Sequence, residues 1–120
     1  MIVLIVEPEP ELGRLWKRHL ERQGGQVHLV QGQHGAFDLL RTYGVDIIVL
    51  DLVLRDGSAL AIADYASYRR PEARVIFVTN TTFFSDGSIF LHSPNACAFV
   101  QSATPPEDLA AMVAHYSKAG

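Results

Sequence analysis

The chain has 120 residues, with 10 Lys and Arg against 13 Asp and Glu, a formal charge of −3 at pH 7. Apolar residues make up 48% and charged ones 19%, which excludes a disordered tail; the length suits one domain, residues 1–120, with its own core. The acidic balance argues against nonspecific nucleic-acid binding, the single cysteine, Cys97, excludes an internal disulfide or a cysteine zinc cage, and no apolar run approaches the ~20 residues of a membrane span.

The start lacks the basic region of a secretory leader, so a soluble domain acting in the cytoplasm is expected. Met1–Val6 (MIVLIV) is continuously apolar and β-branched, the pattern of a strand covered on both faces. After Pro8 and Pro10, Leu12, Leu15, Trp16 and Leu20 share one helical face, Pro10 suits the first turn, and Gly24-Gly25 ends the helix. Gln26–Val30 reads as a second strand and Gly32–Tyr43 as a second helix, with Phe37, Leu40 and Tyr43 turned inward. Val45–Leu50 is a third strand that delivers Asp51. Arg55-Asp56-Gly57 is a turn, and Ser58–Arg69 a third helix stopped by Pro71.

Ala73–Val78 is a fourth strand ending on Thr79. Asn80–Pro94, rich in Phe and carrying Asp86-Gly87, predicts a short or distorted helix, with Phe83, Phe84, Phe90 and Leu91 mostly in the core and one of them free to form a contact face. Ala96–Val100 is a fifth strand. Thr104 then opens the last helix, with Pro105 in first position, Glu107 completing a capping box, and Leu109, Met112, Val113 and Tyr116 inward.

Buried strands alternating with helices predict an α/β fold: a doubly wound, five-stranded parallel sheet of order 2-1-3-4-5, flavodoxin-like. Function in such sheets sits at the carboxyl ends of the strands. Glu7, Asp51, Thr79 and Ser102 are therefore expected to converge on one shallow site. Asp51, ending a buried strand, suits a nucleophile toward phosphorus with a divalent cation screening the phosphate; it equally suits a cap on the following loop. Glu7 beside it suits Mg²⁺, although Glu9 and Glu11 nearby also allow a solvated surface acid. The Thr79 hydroxyl suits a bond to a phosphoryl oxygen or a loop cap. The five histidines form no ligand spacing, Cys97 reads as an inert core thiol, and neither a nucleotide loop nor a serine-hydrolase elbow is present.

Over its whole length the chain resembles the receiver domain of two-component response regulators. Val6-Glu7-Pro8-Glu9-Pro10-Glu11-Leu12 resembles that family's acidic opening V-D-D-E-P-E-L, and Asp51-Leu52-Val53-Leu54-Arg55-Asp56-Gly57-Ser58 its phosphoacceptor segment D-L-x-L-P-D-G-S. Val75–Thr79 resembles the fourth strand with its switch threonine, and Asn95–Val100 the segment G-A-x-x-Y-[LV]. The resemblance implies that Asp51 accepts a phosphoryl group from a histidine kinase or phosphotransfer protein. It implies that Mg²⁺ is held by Glu7, Asp51 and the backbone carbonyl of Val53, that Thr79 contacts the phosphoryl group, and that Phe99 rotates inward. The family's α4–β5–α5 face then presents itself to a downstream protein or a second copy. A signalling module rather than an enzyme is expected.

The departures are specific. Pro8 stands where the family has a second acid, and Ser102 and Ala103 where it has Lys-Pro. Asn80 follows the switch threonine, and Arg55 replaces a loop proline. Mg²⁺ is thus expected to bind weakly or not at all, phosphorylation to be slow or absent, and the Glu7–Asp51 pair, lacking a lysine, to repel and raise the pKa of at least one member. The competing reading is a pseudo-receiver, a phosphorylation-independent interaction or dimerisation module. An Asp-nucleophile phosphatase ranks last, because Val53 occupies the place of its general acid.

Overall fold

The computed structural model describes residues 1–80 and 94–118. Its strands are β1 (Ile2–Val6), β2 (Gln26–Val30), β3 (Ile47–Asp51), β4 (Arg74–Thr79) and β5 (Ala96–Gln101). All pair in parallel, in the order β2-β1-β3-β4-β5 that the pattern predicts. The helices are α1 (Pro10–Glu21), α2 (Gln33–Thr42), α3 (Ala59–Arg69) and a C-terminal helix (Pro106–Lys118). The expected contribution of Asn80–Pro94, with Phe83, Phe84, Phe90 and Leu91, lies almost wholly outside the described residues.

The strand alternation explains the layers. Leu4, Val6, Ile48, Leu50, Val75 and Phe77 project to one face, where α2 and α3 cover them. Val3, Ile5, Ile47, Val49, Ile76 and Val78 project to the other, under Trp16 and Leu20 of α1 and Leu109 and Val113 of the C-terminal helix. β1, β3 and β4 are buried on both sides, so their sequences are apolar except at the ends of β3 and β4. Truncating a fully buried leucine here, such as Leu50→Ala, removes about 2–5 kcal/mol by lost transfer energy and the cavity left behind.

Element boundaries move by a residue or two from the sequence expectation. β3 starts at Ile47, although the Asp46 N–H already donates to the Ile2 carbonyl (2.8 Å) and the Asp46 carboxylate accepts the Ile2 N–H (2.7 Å). β3 and β5 each extend one residue further, to Asp51 and Gln101. The C-terminal helix starts at Pro106: the Pro105 carbonyl accepts the N–H groups of Asp108 (2.9 Å) and Leu109 (3.1 Å), placing Pro105 at the cap. α3 starts one residue later than expected, because Ser58 stands at its cap, its Oγ accepting the Ala61 N–H at 3.3 Å.

Candidate functional site

At the carboxyl ends of β1, β3 and β5 a cleft of about 300 Å³ opens, and Glu7, Asp51 and Ser102 all line it. The alternation brings these three together. Glu7 follows the phase of Val3 and Ile5, Asp51 that of Ile47 and Val49, and Ser102 that of Ala98 and Val100, all on the face covered by α1. Thr79 follows the opposite phase, with Val75 and Phe77; it is buried and does not line the cleft. Its backbone carbonyl accepts the Ser102 N–H at 2.7 Å, tying the end of β4 to the turn after β5. Phe99 is half-buried against the α2/α3 core. Cys97 is half-buried, and burial pushes its thiol up to about 11, as suits an inert group.

Asp51 is half-buried, and its Oδ1 accepts the Val53 N–H at 2.8 Å. This fixes the carboxyl at the mouth of the cleft. Glu7 is no solvated surface acid: it is 1% exposed. Its Oε2 accepts the Glu9 N–H (2.9 Å), while Oε1 is buried without a donor. The neighbouring group is the carboxyl of Asp51, so the two acids hydrogen-bond only when a proton lies between them. Burial first, and that shared hydrogen bond second, push Glu7 up to about 8. The sequence expectation of a raised carboxyl thus falls on Glu7, with burial rather than charge repulsion as the leading cause.

Three features at the cleft carry no sequence signal of their own. Glu7 is buried at the base of the cleft, which a local acidic run does not reveal. Arg55 lines the same cleft as Asp51, and its Nη2 lies 2.5 Å from Glu9 Oε1, joining the β3–α3 loop to the β1–α1 loop. Gln33 fastens the β3–α3 loop from the other side: its N–H donates to the Asp56 carbonyl (3.2 Å) and its Oε1 accepts the Ser58 N–H (2.8 Å). Gly57 sits between them at φ +85°, and a Cβ there would lie 2.3 Å from that of Gln33. The only hint is opposite charge in two facing loops.

Among the described residues no group of three or more His, Cys, Asp or Glu side chains is placed to hold a metal. The oxygen donors lining the cleft include Glu7 Oε1, the Asp51 carboxylate and the backbone of Val53, and Pro8 contributes no side-chain oxygen. The orphaned Glu7 Oε1 is an acceptor a cation would satisfy once the proton has left, so the donor set fits a largely hydrated Mg²⁺. No helix among the described residues is long and apolar enough to cross a membrane.

Comparison with known proteins gives the frame for this geometry. A family model for the response regulator receiver domain matches residues 3–114. Among solved structures, the chain is similar to a CheY-like receiver domain protein of Methanospirillum hungatei (TM-score 0.89, 19% identity, 98% of this chain and 94% of that one). It is also similar to the non-phosphorylated HemR receiver domain of Leptospira biflexa (TM-score 0.84, 22% identity, 97% and 93%). A third similar structure is the Thermotoga maritima response regulator TrrA, solved with Mg²⁺ and BeF (TM-score 0.82, 18% identity, 96% and 97%). At these identities the structures speak for the fold alone, and no curated protein matches the sequence. The match of the receiver family model over nearly the whole chain, on a sheet of order 2-1-3-4-5 with its acids at the carboxyl edge, establishes that this chain belongs to the response regulator receiver domain family of two-component signalling.

Proposed function

We propose that this receiver accepts a phosphoryl group on Asp51 and that its site is a weakened version of the family's. The observation that carries the reading is the placement of Asp51: a carboxyl at the end of central strand β3, steered by the Val53 N–H and opening into a cleft beside Glu7. An Asp51 carboxylate oxygen attacks phosphorus in the phosphohistidine of a kinase or phosphotransfer protein. The new O–P bond forms as the P–N bond breaks, and the imidazole leaves with the electron pair. Glu7, Asp51 and the Val53 carbonyl would hold Mg²⁺, which supplies positive charge to screen the incoming group. Ser102 stands where a lysine would give a charge-assisted bond, and it offers a neutral hydroxyl instead.

In the phosphorylated state the Thr79 side chain, buried outside the cleft at rest, shifts from the end of β4 to meet the phosphoryl group, and the change passes to the surface of β5 and the C-terminal helix, where a downstream protein or a second copy docks. Asp51 is an acceptor, not a turnover catalyst, so no enzymatic activity is assigned. The single cysteine calls for no oxidising compartment, in keeping with action in the cytoplasm.

The test is intact mass after treatment with acetyl phosphate and Mg²⁺, with Asp51→Asn as control. One phosphoryl group gained by the wild type and lost in the variant is the expected result; a phosphoryl group retained in Asp51→Asn refutes the assignment. The pseudo-receiver reading draws on a specific observation as well: Glu7 is buried with Oε1 lacking a donor, and that burial raises its pKa and so opposes the ionised form a metal needs. It predicts equal partner affinity with and without phosphodonor.

A further inference from the structure

The cleft gathers three carboxyl groups, Glu7, Glu9 and Asp51, and among the residues that line it Arg55 is the one cation. The backbone beneath Arg55 is fixed, because Gln33 holds both Asp56 and Ser58 and Gly57 completes the turn. The side chain is not fixed in the same way. It is 73% exposed and its partner Glu9 is 61% exposed, which puts the ion pair in the class that solvent and salt weaken most. A phosphoryl group on Asp51 would bring nearly two negative charges and three strong acceptor oxygens into the same cleft. A guanidinium offers those oxygens a planar fork of donors and keeps its charge at any physiological pH.

We infer that Arg55 is the cationic partner of the phosphoryl group in this receiver, held on Glu9 at rest and exchanged onto the phosphoryl oxygens after transfer. Arg55 thereby takes over, from the β3–α3 loop, the charge that Ser102 does not supply from the turn after β5. The exchange has a structural consequence. The Arg55–Glu9 bridge joins the two loops that flank the cleft, so its release frees the start of α1 from the β3–α3 loop, an effect of phosphorylation that adds to the change at β5 and the C-terminal helix. The inference rests on Asp51 being the phosphoacceptor.

The experiment compares wild type, Arg55→Ala, Arg55→Lys, Glu9→Gln and Asp51→Asn, each treated with acetyl phosphate and Mg²⁺ and followed by intact mass for extent and lifetime of phosphorylation. A thermal melt confirms that the exposed substitutions leave the fold intact. Arg55→Ala is expected to lower the phosphorylated fraction or shorten its lifetime at least about tenfold, as loss of a charge-assisted bond does, with partial rescue in Arg55→Lys. Glu9→Gln, which removes the resting partner, is expected to raise the phosphorylated fraction. A second readout is the Arg55 Nε–Hε signal in NMR, which should shift on phosphorylation in wild type and be already shifted from its resting value in Glu9→Gln. If wild type is phosphorylated on Asp51 and Arg55→Ala matches it within about twofold, the Arg55 role is overturned while the phosphoacceptor stands. If Asp51→Asn gains phosphate as wild type does, the phosphoacceptor reading falls and takes this one with it.

Discussion

Replacing Glu7 by glutamine should make the protein more stable at neutral pH, although it removes an acid from the cleft. The reasoning runs through the proton. Glu7 titrates near 4.5 in the unfolded chain and near 8 in the fold, raised first by burial and next by its hydrogen bond to Asp51. Between those two values the native state binds more protons than the unfolded state, so stability falls as pH rises through the window. Each pH unit contributes about 1.36 kcal/mol, so at pH 7 the fold is weaker by about 3 kcal/mol than it would be with a neutral side chain in that place. Glutamine has the same shape, carries no charge, and its amide can donate to Asp51 as the protonated acid does. Urea unfolding of wild type and Glu7→Gln, in chelator and at several values between about pH 5 and pH 8, reads the difference directly, because every other titrating group is common to both. The gap between the two proteins should be small at the acid end and widen by about 3 kcal/mol toward neutral pH, roughly 1–3 M in urea midpoint. Parallel profiles across the range would refute a proton held on Glu7.

The same proton opposes a cation. Mg²⁺ affinity, titrated calorimetrically, should rise nearly tenfold per unit up to about pH 8, and a flat profile would contradict the arrangement. Pro8→Asp adds an oxygen donor to the cleft and should raise Mg²⁺ affinity at every pH; equal affinities would show that Pro8 is not the missing ligand position. Gly57→Ala forces a Cβ at φ +85° against Gln33, and should cost about 1–3 kcal/mol or several degrees in Tm, with an unchanged melt showing that the loop is not held as described.

Much of the fold is legible in the sequence because the central strands are buried on both faces. MIVLIV and VDIIVL admit no reading but covered strands once a helical period follows each, and right-handed crossovers then leave few strand orders. Boundaries were harder to read where a side chain competes with the ladder. The Asp46 carboxylate takes the Ile2 N–H just before β3, and Pro105 keeps its carbonyl for the helix while standing outside it. At the site, the carboxyl-edge rule brings out Glu7, Asp51 and Ser102, whereas it groups Thr79 with them although the alternation sets that residue on the other face. The burial of Glu7 is a tertiary property: three acids within five residues look solvated, yet the first of them is 1% exposed in the fold. The Arg55–Glu9 bridge spans 46 residues of sequence and has no local pattern at all.

The buried acid and the exposed arginine answer one electrostatic problem in two ways. A receiver cleft must hold carboxylates close together at rest and a doubly charged phosphoryl group afterwards, without either state being prohibitively repulsive. Here burial raises the Glu7 pKa, which favours a proton over a second negative charge at rest, and the acidic rim is balanced by Arg55 on Glu9. Both devices are reversible at small cost, since a proton exchanges with water and an exposed ion pair is worth only about 0–1 kcal/mol. A fixed lysine would instead lower the Glu7 pKa, favour the ionised pair and strengthen metal binding at neutral pH. Ser102→Lys therefore couples the two ideas. It should move the pH midpoint of Glu7, followed by carboxyl-carbon NMR, downward toward the ordinary carboxylate range, and it should reduce the effect of Arg55→Ala on phosphorylation because a second cation then reaches the same oxygens. A Glu7 midpoint that stays put in Ser102→Lys would mean that residue 102 does not face the acid pair. An undiminished Arg55→Ala effect would mean that the two cations serve different oxygens.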